Sequence, residues 1–149
     1  MSRTPYPYYK ENGSRYKFIS SGRRAIEKVV EFTPTRLKNV YNLGFGDLLP
    51  NGEMDDTAKS NNGDIIKVFA TVISILEDFT ETHPSLKIVF WGSTLERTKI
   101  YNRIIKTYYQ SFSKIFVVSG ATDAKGRSEE VIYNPSDTCF YSVFFVKRI

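Results

Sequence analysis

The apolar residues of this chain keep strand spacing in its first third and helix spacing in its middle. Tyr16-Lys17-Phe18-Ile19-Ser20 and Ile26-Glu27-Lys28-Val29-Val30-Glu31-Phe32 read as two strands joined by the turn Ser21-Gly22-Arg23-Arg24. A third strand runs through Asn39-Val40-Tyr41-Asn42-Leu43, and Gly44-Phe45-Gly46 offers a place for a bulge. Pro50-Asn51-Gly52-Glu53 is a turn signal that predicts a hairpin returning through Met54 to Ala58.

From 64 to 82 the period changes to that of a helix. Ile65, Ile66, Val68, Phe69, Val72, Ile73, Ile75, Leu76 and Phe79 cover most of the cylinder, and Lys67, Thr71, Ser74, Asp78 and Glu81 leave one narrow polar stripe. Such a helix lies against a sheet, and Pro84 stops it. Leu86 to Trp91 is a short apolar run between helices, hence a central strand with Trp91 in the core. Ser93-Thr94-Leu95-Glu96 reads as a capping box opening a second helix over 94–111, with Tyr101, Ile104, Ile105, Tyr108 and Phe112 inward and Lys99, Arg103 and Lys106 outward. Lys114 to Ser119 and Thr138 to Val146 close the chain as strands, around a polar loop. The order β-β-β-β-α-β-α-β-β predicts an α+β fold, a mixed, mainly antiparallel sheet with two helices packed on it. Residues 1–15, with Pro5, Pro7 and Tyr6, Tyr8 and Tyr9, form an N-terminal arm ahead of a single domain over 16–149.

Composition narrows the function classes. With 149 residues, 41% hydrophobic and 25% charged, the chain can bury a core of its own. No apolar run reaches the roughly 20 residues that cross a bilayer, Met1 to Pro5 lacks a signal-peptide core, and the lone Cys139 fits a reducing cytoplasm, where it is expected to be buried packing. The net charge of +5 is uneven: basic over 1–40, acidic over 47–81, basic again toward the end. A uniformly basic face would suggest nucleic acid; this alternation argues for it only weakly. His83, the only histidine, stands before Pro84 at a helix end, so neither a Ser/His/Asp nor a Cys/His centre is available, nor a nitrogen–sulfur zinc site. Asp55, Asp56 and Asp64 lack EF-hand spacing, and no P-loop or Rossmann glycine pattern is present; no metal ligand is assigned.

Candidate chemistry gathers at two strand-to-helix junctions. Ser60-Asn61-Asn62-Gly63-Asp64 opens the first helix and Gly92-Ser93-Thr94-Leu95-Glu96-Arg97 the second, where helix N-termini leave N–H groups unsatisfied. The first junction is either an ordinary cap, with an asparagine on the N–H groups and Asp64 at the positive end of the dipole, or a nest in which Asn62 and Gly63 receive a phosphate. Arg97, four residues before Tyr101, points along the inward stripe, with Ser93 and Thr94 beside it. It either forks onto a ligand carboxylate or phosphate or pairs internally with Asp47 or Asp64.

Two resemblances accompany these residues. Phe18-Ile19-Ser20, Lys28-Val29-Val30-Glu31-Phe32, Asn39 to Asp47, Asp55-Asp56, Ser60 to Asp64, and Gly92-Ser93-Thr94 with Arg97 and Tyr101 resemble an uncharacterised domain family of Bacteroidota, a likeness that extends to Val146-Lys147-Arg148. The element order resembles, at fold level, the acyl-CoA N-acetyltransferases. That second likeness implies a pyrophosphate loop at Ser60 to Asp64 and a general-acid role for Tyr101; against it, the usual glycine-rich loop is reduced to Gly63 and Asp64 follows it. The expectation is a small-molecule or acyl-CoA-type binding domain, a degenerate or minimal acyltransferase, with Asn62, Gly63, Ser93, Thr94 and Arg97 on an anionic group and Tyr101 as an acid. The alternative is a non-enzymatic module that binds protein or nucleic acid through the basic arm and the Lys99/Arg103/Lys106 face. A toxin-like nuclease is disfavoured for want of histidines or clustered acids.

Overall fold

A computed structural model describes residues 4–56, 62–122 and 129–149. The elements run β1 (Tyr8–Asn12), β2 (Arg15–Ser21), β3 (Ala25–Pro34), β4 (Val40–Leu48), β5 (Met54–Asp55), α1 (Ile65–Thr82), β6 (Lys87–Phe90), α2 (Leu95–Thr107), α3 (Tyr109–Phe112), β7 (Phe116–Thr122), β8 (Glu129–Ile132) and β9 (Val143–Arg148). They form one α+β sheet in the order β1-β2-β3-β4-β6-β9-β7-β8, with β5 attached to β4. Every described pairing is antiparallel except β4 with β6. That single parallel contact is the place where α1 carries the chain from one strand to the next, the βαβ connection that a parallel pair requires.

The helices share one face of the sheet. Phe32 of β3 stacks on Phe79 of α1 at 3.9 Å between ring centroids, Phe90 of β6 meets Tyr101 of α2 edge-on at 5.9 Å, and Phe69 joins the helices by an edge contact with Tyr101 at 5.4 Å. Val30, Ile75, Ile88, Phe144 and Val146 are fully buried between these layers. Aromatic rings bury large areas and pack edge-on or offset, which suits a thin two-layer core.

The polar stripe of α1 has a physical explanation that its spacing alone concealed. The N-terminal segment lies along it: Tyr6 N–H donates to Thr71 Oγ1 at 2.8 Å, Lys67 Nζ stands 4.5 Å from the Tyr6 ring centroid, and the Tyr8 hydroxyl donates to Asp78 at 3.3 Å. Thr71 is consequently fully buried. Tyr6 and Tyr8 of the arm pack while Tyr9 is exposed, and the second half of the arm adds β1 to the sheet edge.

Several expectations are corrected. Gly44-Phe45-Gly46 holds no bulge: β3 and β4 pair without a register break from Lys28↔Asp47 to Pro34↔Tyr41. The glycines instead let the β4–β5 hairpin fold over the helix-free face, where a Cβ on Gly46 would stand 2.4 Å from the Asp55 carbonyl oxygen. Arg15 Nη2 fastens the hairpin tip to the Gly52 carbonyl at 2.6 Å. Thr57 and Ala58, at the predicted end of that hairpin, lie outside the described residues. The second helix breaks at Tyr108 into α2 and α3. The last strand begins at Val143 rather than Thr138, because both backbone groups of Tyr141 are taken by the Asn102 side chain of α2 at 2.8 and 2.9 Å. Trp91 is half-exposed, since the strand ends at Phe90 and the chain turns outward there. Cys139 is exposed in the non-strand segment that precedes β9. The four exposed residues of β8, read as part of a polar loop, form an edge strand whose Glu130 accepts from Lys87 Nζ and Ser119 Oγ, each at 2.5 Å.

Candidate functional site

Because β4 and β6 are parallel, α1 and α2 both begin at the carboxyl ends of these strands, the edge where open sheets with crossover helices keep their binding crevices. The ladder between β4 and β6 covers only Val40–Asn42 against Lys87–Val89. Beyond it the strands part, and β4 meets β5 again only at Asp47 and Leu48. Leu43 to Gly46 are therefore left without a strand on that side among the described residues.

Arg97 spans the parting. Thr94 is the N-cap of α2 and its Oγ1 accepts from Arg97 N–H at 3.2 Å, fixing the first turn. The Arg97 guanidinium then reaches the β4 backbone, donating from Nη1 to the Phe45 carbonyl at 3.0 Å and lying 5.5 Å from the Phe45 ring centroid. A carbonyl that lacks a strand partner thus receives a charged donor. Tyr101, one turn further along α2, directs its hydroxyl toward the same guanidinium. Burial pushes the Tyr101 phenol above its ordinary value, Arg97 draws it back, and the nearby Asp56 carboxylate raises it. Ser93 Oγ donates to the Asp56 carbonyl, which ties the β5 end to the start of α2. The Ser93–Glu96 capping box is not the device used here: Thr94 caps, and Ser93 serves as a tether.

The first junction occupies the same sheet edge above the β2–β3 turn. Asn62 is buried and works as a staple. Its Nδ2 donates to Ser20 Oγ at 2.9 Å and to the Arg24 carbonyl at 2.7 Å, while its Oδ1 accepts from Arg24 N–H at 2.9 Å. Its carbonyl accepts from Arg23 N–H at 2.9 Å. Gly22 makes this approach possible, because a Cβ there would stand 2.0 Å from the Asn62 carbonyl oxygen. Gly63 has φ of +77°, with Arg23 Nε 3.5 Å from where its Cβ would be. Asp64 begins α1 without a side-chain cap bond and accepts instead from the Tyr6 hydroxyl and Ser20 Oγ, each at 2.5 Å. The asparagine side chain therefore holds a turn and does not cap the helix. Ser60 and Asn61 lie outside the described residues.

Between the junctions stands a pair that sequence reasoning did not single out. Lys28 is buried on the helix side of β3, ion-paired with Asp47 of β4, its Nζ 5.8 Å from the Phe45 ring centroid. The Phe45 ring thus has Lys28 and Arg97 for neighbours. A lysine at an inward strand position opposite an aspartate was the available signal. Ser93, Thr94, Arg97 and Tyr101 form one cluster. Asn62 and Gly63 contact the end of β2 and the β2–β3 turn, whereas Arg97 contacts β4. Among the described residues no group of acids, histidines and cysteines is placed to hold a metal ion, and no helix is long and apolar enough to cross a membrane.

A family model described as a family of unknown function, DUF6934, matches residues 2–149. The chain belongs to that family. No curated protein and no solved structure matches it. In this DUF6934 chain the match spans both junctions, the Lys28–Asp47 pair and the arm that covers α1.

Proposed function

We propose that the parting of β4 and β6 receives an anionic small molecule of the acyl-CoA type, and that the domain is a degenerate or minimal acyltransferase. The observation that carries this reading is the Arg97 guanidinium on the Phe45 carbonyl, just past the end of the β4–β6 ladder at the carboxyl ends of two parallel strands. A ligand phosphate or carboxylate joins the guanidinium there, with Ser93 and Thr94 at the helix N-terminus beside it. Asn62 and Gly63 hold the start of α1, which forms the far wall. Tyr101 is the acid. A phenol held above its ordinary value stays protonated at neutral pH. As an acceptor amine forms a C–N bond to the acyl carbon and the thioester C–S bond breaks, Tyr101 can give its proton to the departing thiolate and be reprotonated by the proton the amine sheds.

The test is a thermal-shift panel of CoA, acetyl-CoA, ATP and a short single-stranded oligonucleotide against the wild type and Arg97→Ala. A ligand at a hundredfold excess over its Kd stabilises by about 2.7 kcal/mol, a rise of several degrees. A shift with the CoA compounds that Arg97→Ala removes supports the reading, and acetyl transfer slowed by Tyr101→Phe without loss of binding supports the acid. A salt-sensitive shift with the oligonucleotide alone overturns it in favour of an interaction module using the basic surface.

A further inference from the structure

Resting on the anion site at Arg97, we infer that the ligand is amphipathic, with a short unbranched hydrocarbon tail that enters an apolar cavity directly behind that arginine. A cavity of about 40 Å³ lies between β4, β6, α1 and α2, lined by Phe45, Phe69, Val72, Phe90, Tyr101 and Ile104 among others. Two of these residues are the ones Arg97 touches: Phe45 carries the guanidinium on its ring and backbone, and the Tyr101 hydroxyl faces it. Charge at the mouth and hydrocarbon behind it define the ligand class. A cavity walled by aromatic and aliphatic groups offers water no partners, so filling it with methylene groups is favourable whereas hydrating it is not. A space of this kind needs about 10–15 Å³ to admit one water-sized group, so it holds about three carbons beyond those at the mouth. Phe45, Phe69, Phe90 and Tyr101 meet at centroid distances of 5.4 to 6.3 Å, a ring of stiff side chains that sets the depth.

The experiment titrates straight-chain carboxylates from ethanoate to octanoate at constant ionic strength, by ligand-observed NMR. Wild type, Arg97→Met, Val72→Ile and Leu76→Ala are compared, the last two altering residues that line the cavity. The expected result is a gain of about fourfold per methylene up to butanoate or pentanoate, then no further gain. Val72→Ile, which adds one methyl group to the space, moves the optimum one carbon shorter. Leu76→Ala moves it two or three carbons longer, and Arg97→Met abolishes binding of the whole series. Affinity that climbs steadily to octanoate, or an optimum that stays put in both cavity variants, overturns the inference. CoA that binds through Arg97 while no carboxylate shows a chain-length optimum defeats the tail alone and leaves the anion site standing. Failure of CoA and every carboxylate defeats both.

Discussion

Replacing Tyr16 with phenylalanine is expected to stabilise this protein. Tyr16 of β2 is fully buried, edge-on to Tyr8 and Phe32 at centroid distances of 6.1 and 6.0 Å. Its hydroxyl has no hydrogen-bond partner among the described residues. A buried polar group left unpaired costs about 1–3 kcal/mol, and phenylalanine removes it while keeping the ring contacts. The expected gain at pH 7 is about 1 kcal/mol after allowing for the small void left by one oxygen, a rise in Tm of about 3 °C for a chain of this length. A pH dependence accompanies it. Burial, with the Asp78 charge and Tyr8 adding to it, pushes the Tyr16 phenol up to about 12. The folded state therefore binds the phenolic proton more tightly than the unfolded state, whose value is near 10. The stability associated with that proton is whole below pH 10 and is lost as pH rises toward 12, by at most roughly 2–3 kcal/mol. Urea denaturation at pH 7, 10 and 11.5 measures both effects. The variant should lead at pH 7, and its lead should widen above pH 10. Loss of 1 kcal/mol or more at pH 7 with an unchanged m-value, or a lead that stays constant with pH, would refute the reasoning.

Other expectations concern the sheet edge and the exposed segment. Asn62→Ala removes the bonds to Ser20 and Arg24 and strands buried backbone groups, so it should cost about 2–4 kcal/mol in urea titration while the folded fraction keeps its ligand affinity. Lys28→Met leaves Asp47 charged and without its lysine, at a cost of about 3–5 kcal/mol, and Lys28→Met with Asp47→Asn should recover part of that in a double-mutant cycle. Cys139 should react fully with a maleimide in native buffer. Its rate should climb steeply above pH 9, because a hydrogen bond to Asp137 holds the thiol above its ordinary value.

How much of this was legible depended on whether a residue's environment was set by its neighbours in sequence. The α1 stripe, the β2–β3 turn and the β6 run follow from local period and breakers, and the structure places all three close to where the pattern predicts. The polar stripe of α1 was read without a partner for it, yet Thr71 and Asp78 meet Tyr6 and Tyr8 some 65 to 70 residues away in sequence. No window of local periodicity contains that contact. The same holds for Asn62, whose junction was recognised as a helix start but whose partners, Ser20 and Arg24, belong to a distant turn. Arg97 was found because its spacing from Tyr101 put both on one helix face. Its carbonyl partner on Phe45 exists only because β4 and β6 part, a property of sheet register that no spacing encodes. Trp91 and Cys139 were misplaced for one reason: hydrophobicity was taken as burial just where the chain leaves the sheet.

The most direct measurement of the proposed anion site is a ¹H–¹⁵N titration of the labelled chain with CoA. The predicted result is early, saturable shifts at the backbone amides of Ser93 and Thr94 and at the Arg97 side-chain Nε–H, with the Asn62 side chain following weakly. Shifts confined to Lys99, Arg103, Lys106 and the N-terminal arm, fading as salt is added, would contradict the account and place binding on the basic surface instead.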